Sequence, residues 1–84
     1  QMADDRLVTF GDRVKAIREQ NRISIRELAA MSGLNKSQIV RIESGQSDPH
    51  YTTLLRIADA LGISVGDLVN VSKGADTLDG KQEE

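Results

Sequence analysis

Apolar residues recur at helical intervals along most of this chain, which predicts several short amphipathic helices. The first stripe consists of Phe10, Val14 and Ile17. It predicts a helix that begins near Phe10 and is capped by Thr9, which forms a capping box with Asp12. A later stripe predicts a helix over residues 51–61 that ends at Gly62. The inward-facing set of this later helix is expected to be Leu54, Leu55, Ala58 and Leu61.

The segment from Ile23 to Gly45 carries the most specific helix-start signals in the chain. Two capping boxes, each beside an apolar staple, are formed by Ser24 with Glu27 and by Asn35 with Gln38. Gly33 stands between them, where a helix must end in a left-handed conformation that most side chains disfavour. The segment is therefore predicted to form two short helices joined by a tight turn. A further box, Ser64 with Asp67, predicts a last helix over about residues 65–71.

The second helix of this pair has a buried and an exposed face. At about 100° per residue, Ile39 and Ile42 fall together on one side. The opposite arc holds Lys36, Ser37, Val40, Arg41 and Ser44. Cations and hydroxyls at this spacing suit the major groove of DNA, where bases offer acceptors and phosphates carry negative charge. They equally suit the solvated face of a small helical bundle, so the arc alone leaves both interpretations open.

The order of the key residues resembles a known family. The resemblance rests on Ala29, Gly33, Ile39 and Ile42, followed by the runs RIESGQSDP and TLLRIADALGIS. These are similar to the Xre/Cro/C1-type helix-turn-helix domain of phage repressors and Cro proteins, over about residues 8–71. The resemblance implies an all-α fold, a compact five-helix bundle of the lambda-repressor-like type. It also implies a sequence-specific transcriptional regulator, repressor or Cro-like, whose recognition helix of about residues 36–44 enters the major groove of double-stranded DNA.

The resemblance, together with the exposed arc, indicates which side chains contact DNA. Base contacts are expected from Lys36, Ser37, Val40 and Arg41. Phosphate contacts are expected from Ser24, Gln38, Ser44 and Gln46. Val40 either meets a thymine methyl group or packs at the edge of the groove. The resemblance also implies a partly buried salt bridge between Arg18 and Glu43, the alternative being two unrelated surface charges.

Two positions depart from the pattern of the resembled family. Many members carry Gln at the first residue of the helix that crosses the DNA backbone, and this chain has Ile25, which cannot donate a hydrogen bond. The loop of residues 46–50 usually carries Lys or Arg toward the phosphates, and here it contains Asp48 and no cation. Part of the usual phosphate contact is therefore expected to be absent.

Composition narrows the alternatives. Eighty-four residues make one small domain, and the chain has no cysteine and a single histidine, so neither a metal nor another cofactor is expected. The net charge of −2 is unevenly distributed, because residues 6–73 hold ten Lys/Arg against seven Asp/Glu while both ends are acidic. We expect a flexible lead-in over residues 1–7, the DNA-binding domain over residues 8–72 and an acidic, disordered tail over residues 73–84.

Two functional hypotheses remain after these exclusions. No apolar run suits a membrane span, the cytoplasm is the expected location, and no nucleophile is paired with a base as in an enzyme. The first hypothesis is the DNA-binding regulator, acting as a homodimer on a near-palindromic operator. Its subunits would pair through Val65, Val69 and Val71, unless these valines complete the domain's own core. The second is a protein-interaction module such as an antitoxin, favoured by the acidic tail and the cation-poor loop.

Overall fold

The computed structural model describes residues 4–70, and these residues form five helices without a strand. The helices are α1 (Asp5–Gln20), α2 (Ile25–Ser32), α3 (Lys36–Glu43), α4 (Tyr51–Leu61) and α5 (Val65–Val69). The prediction of an all-helical fold with five helices is thus confirmed for this range. Val71 and the predicted acidic tail lie outside the described residues.

The core is aliphatic, and every helix contributes one fully buried side chain to it. These side chains are Val14, Leu28, Ile39, Ile57 and Leu68. Phe10, the only aromatic residue among the buried ones, closes one side of the cluster at 7% exposure. Because the buried residues of all five helices pack into one shared cluster, no helix of this small domain has an independent core, and the five must fold together.

The first helix begins one turn earlier than its apolar stripe predicts. The Asp4 carboxylate caps it by accepting a hydrogen bond from the backbone N–H of Arg6 at 2.8 Å. The Arg6 side chain also binds this carboxylate, and these bonds lower the pKa of Asp4 to about 2. The Thr9 hydroxyl instead donates to the carbonyl of Asp5 inside the helix, so the predicted cap at Thr9 was wrong. Residues 5–7, assigned to the flexible lead-in, are helical.

The inward face of α4 differs from the prediction by one member. Leu55 is 37% exposed, whereas Ile57 is fully buried. Together with Ala58 and Leu61, Ile57 lies on the arc that faces the core, and Leu55 falls off that arc at about 100° per residue. Leu54 is half-buried, as expected of an inward residue near the start of the helix.

The short helix α5 is held against α1 by a side chain that the sequence analysis did not consider. The guanidinium of Arg13 donates to the backbone carbonyls of Asp67, at 2.6 and 2.9 Å, and of Leu68, at 3.1 Å. Of the predicted Ser64 capping box, the half in which the Ser64 hydroxyl accepts from the Asp67 N–H is formed at 3.0 Å. Val65 packs against the core of its own domain, which is one of the two alternatives that the sequence left open for the valines.

Helix α1 touches the end of α3 backbone to backbone at Gly11. A Cβ atom on this residue would lie 2.6 Å from the carbonyl oxygen of Glu43 and closer still to that of Ile42. A backbone carbonyl cannot rotate away as a side chain does. The absence of a side chain at Gly11 therefore permits the close approach of α1 to the end of α3.

We expect Gly11→Ala to lower the free energy of unfolding by about 1–3 kcal/mol, because the added methyl group overpacks this contact. Gly66→Ala is the matched control. A Cβ there would meet only the Ser64 hydroxyl at 3.7 Å, and replacing glycine in a helix stabilises by up to about 1 kcal/mol. Urea denaturation of both variants measures the difference. Equal stability of the two variants would contradict the close approach described here.

Candidate DNA-binding interface

Helices α2 and α3 form a helix-turn-helix whose geometry is set by its two capping boxes. The Ser24 hydroxyl accepts from the Glu27 N–H at 3.0 Å, and the Glu27 carboxylate accepts from the Ser24 N–H at 2.8 Å. Asn35 and Gln38 make the equivalent pair at 2.8 and 2.9 Å. Gly33 ends α2 with a left-handed φ of +78°. Both boxes and the turn between them are therefore confirmed.

The exposed arc of α3 has the composition that the spacing predicted. Ile39 and Ile42 are buried at 0% and 3% exposure and fix the helix on the core. The exposed residues are Lys36, Ser37, Val40, Arg41 and Ser44. Within residues 4–70, neither Lys36 nor Arg41 forms a salt bridge. Two cations are thus available to an anionic partner on the outer face of one short helix.

The candidate phosphate-binding residues differ in the donors they can offer. Gln38 uses its amide oxygen in the capping box, which leaves the amide N–H₂ group to donate outward. Ser24 uses its hydroxyl oxygen as an acceptor, so the hydroxyl proton remains available. Ser44 donates its hydroxyl proton to the Arg41 carbonyl at 3.1 Å. Gln46 is exposed at the start of the following loop. Ser44 therefore offers less to a phosphate than the sequence analysis expected.

The Arg18–Glu43 salt bridge is present and is bidentate. Arg18 Nε lies 2.7 Å from Glu43 Oε2, and Arg18 Nη2 lies 3.1 Å from Glu43 Oε1. The remaining guanidinium nitrogen donates to the Ile23 carbonyl at 2.8 Å, just before α2 begins. The two side chains are only 9% and 7% exposed. The hydrogen bonds to Glu43 raise the pKa of Arg18, and the pair ties α1 to both helices of the helix-turn-helix.

A groove of about 360 Å³ lies beside the exposed arc, between α1, the start of α2 and α3. It is lined by Lys15, Arg18, Ile25, Val40, Glu43 and Ser44. Lys15 is exposed on α1 and was not among the residues predicted to lie near α3. Its position on a different helix gave no spacing signal, because only the packing of α1 on α3 brings it beside Val40.

The loop between α3 and α4 lacks cations in the structure as in the sequence. Asp48 is exposed there, and His50 precedes α4 without a side-chain capping bond. Among residues 4–70, no three His, Cys, Asp or Glu side chains are grouped as a metal site would require. No helix in the same range is long and apolar enough to cross a bilayer.

Comparison with known proteins gives consistent matches. A family model described as helix-turn-helix, HTH_3, matches residues 14–68. The chain is 37% identical over 71 residues to an immunity repressor protein of Bacillus phage phi105, a match that covers 84% of this chain and 46% of that protein. The chain thus spans less than half the length of this curated relative.

Solved structures show the same fold. The restriction-modification controller protein C.AhdI from Aeromonas hydrophila is similar with a TM-score of 0.76 and 34% identity, covering 77% of this chain and 98% of that one. The biofilm regulator SinR, solved in complex with DNA, is similar with a TM-score of 0.68 and 33% identity, covering 71% of this chain and 97% of that one. The bundle of the repressor type that the sequence predicted is therefore confirmed.

We expect Arg18→Met to lower the free energy of unfolding by about 3–5 kcal/mol, because it leaves the buried Glu43 carboxylate without its partner. The double variant Arg18→Met/Glu43→Leu should recover much of this loss, since it removes both charges. Arg6→Met is the control, because it removes an equally short ion pair at the surface and should change stability little. Denaturant unfolding compares the variants. A single variant as stable as the double variant would contradict the assigned role.

We expect the Glu27 capping box to add a pH-dependent contribution to stability. Hydrogen bonds from Ser24 lower the pKa of Glu27 below its ordinary value of 4.5. A lowered pKa in the folded state stabilises above the unfolded value, and the contribution is lost as pH falls through the folded value. Glu27→Gln should therefore destabilise most near pH 7 and progressively less below about pH 4.5. Thermal unfolding at several pH values measures this; a pH-independent difference would count against the carboxylate as the source.

Proposed function

This chain belongs to the helix-turn-helix family HTH_3, and we propose that it is a transcriptional repressor that binds a specific sequence of double-stranded DNA. The observation that carries the proposal is the exposed arc of α3. Its two cations have no salt-bridge partner in the described part of the chain, and buried isoleucines hold the helix from behind. The similar phage protein is a repressor by name, and SinR was solved with DNA.

In the proposed complex, α3 enters the major groove and its outer side chains contact base edges. Arg41 can donate two hydrogen bonds to guanine O6 and N7, a contact that discriminates by about 1–3 kcal/mol. Lys36 offers a point charge to the same acceptors. Ser37 can donate or accept, and so suits either kind of base. Val40 adds an apolar contact within the arc.

Phosphate contacts are proposed on both sides of the DNA major groove. Ser24 and Gln38 retain donors after their capping bonds, and Gln46 is exposed beyond α3. Ser44 contributes as a donor only when its hydroxyl leaves the Arg41 carbonyl. The loop around Asp48 has no cation, whereas Lys15 supplies one beside the exposed arc of α3. We therefore add Lys15 to this set. Few cations overall predict modest non-specific affinity.

We propose that the protein acts in the cytoplasm as a homodimer on near-palindromic half-sites about one helical turn apart. Val69 is 40% exposed at the end of α5 and remains a candidate for subunit pairing. Val65 packs largely on its own core, which weakens its candidacy. No enzymatic activity is proposed.

A second candidate function is a protein-interaction module of the antitoxin kind. The specific observation in its favour is the exposed Asp48 in a loop that carries no cation toward a phosphate backbone. On this alternative the bundle would bind a partner protein, and its affinity for DNA would be weak even at low salt.

The proposal is tested by measuring binding to random and to selected duplexes over a salt series. We expect Arg41→Ala to lose the preference for the selected sequence, and Lys15→Ala to weaken all duplexes alike while reducing the log–log salt slope by about one. Arg56→Ala removes an exposed cation that belongs neither to α3 nor to the groove lined by Lys15, and it is the matched control. Absence of duplex binding at low salt would reject the repressor and favour the interaction module.

A further inference from the structure

Two apolar side chains line one groove on the surface where DNA binding is proposed. Ile25, at the start of α2, and Val40, on the exposed arc of α3, line the same groove of about 360 Å³. Val40 is 44% exposed and is the one aliphatic residue among the outward-facing residues of α3. Ile25 is half-buried and packs against the core from the groove side. The two residues therefore form the apolar part of a groove that is open to solvent.

The polar groups around this patch are already engaged within the protein. Arg18 and Glu43, which line the groove, satisfy each other in the bidentate salt bridge. The Ser44 hydroxyl donates its proton to the carbonyl of Arg41. Of the described residues that line the groove, Lys15 alone carries a charge that forms no salt bridge. The surface next to Val40 thus offers a ligand mainly apolar contact and few free hydrogen-bonding groups.

The major groove of DNA offers one apolar group at the base edges. Among the four ordinary bases, only thymine carries a methyl group at C5, and aliphatic side chains contact it there. The polar side chains of the arc, Lys36, Ser37 and Arg41, suit acceptors on other bases. The aliphatic side chains of Val40 and Ile25 next to them suit a methyl group. They offer no hydrogen bond to guanine O6 or to the cytosine amino group.

We propose that Val40, which lines one groove with Ile25, contacts a thymine methyl group and selects thymine at one position of the recognised sequence. This inference rests on the proposed DNA-binding function. A glutamine in place of Ile25 would put a polar amide into the groove that Val40 lines, where it would interfere with the apolar contact.

The test uses uracil, which pairs as thymine does but lacks the C5 methyl group. Duplexes selected from a random library with the whole chain are resynthesised with each thymine replaced in turn by deoxyuridine. We expect one replacement per half-site to weaken binding by the wild-type protein about fourfold, the factor for exposing one apolar carbon. Val40→Ala should bind the thymine duplex more weakly and be insensitive to uracil at that position.

Two variants control for folding and for shape. Val40→Thr keeps the branched shape but replaces one methyl with a hydroxyl, and it should reduce the uracil penalty without a change in melting temperature. Ile25→Gln should reduce the penalty as well, whereas Lys36→Ala should weaken binding and leave the penalty intact. Enrichment of a sequence without any uracil penalty, or a penalty that persists in Val40→Ala, would overturn this inference alone. Failure to enrich any duplex would overturn the proposed function together with it.

Discussion

The structure depends on one buried ion pair, the bidentate contact of Arg18 with Glu43. It joins α1 to the last turn of α3, and its third hydrogen bond reaches the Ile23 carbonyl before α2. Charges so little exposed are costly to desolvate, and only complete pairing makes them tolerable. The pair therefore links α1 both to the end of α3 and to the backbone just before α2, which constrains how these three helices pack.

Local signals were sufficient to predict the helix-turn-helix. Capping boxes at Ser24 and Asn35 act within one helical turn, so their geometry follows from sequence without knowledge of the fold. The buried face of α3 followed from the spacing of Ile39 and Ile42. The predicted start of α1 was wrong because the sequence offers two possible caps, Asp4 and Thr9. Asp4, whose carboxylate also binds Arg6, comes first and begins the helix.

Features that depend on tertiary packing could not be predicted from spacing. Gly11 gives no turn signal inside a helix, yet it permits the contact with the end of α3. Lys15 and Val40 share a groove although they belong to different helices. The candidate site was thus predictable on α3 itself, and much less so on the surfaces that neighbouring helices bring beside it.

The buried and the exposed faces of α3 can change independently of each other. Ile39 and Ile42 carry the packing of this helix, whereas the side chains of the outer arc project into solvent and contribute little to the core. Surface substitutions of that kind usually alter stability only slightly. On the proposed function, variants of this scaffold can therefore exchange their outer residues and recognise a different DNA sequence, while the core that holds α3 stays the same.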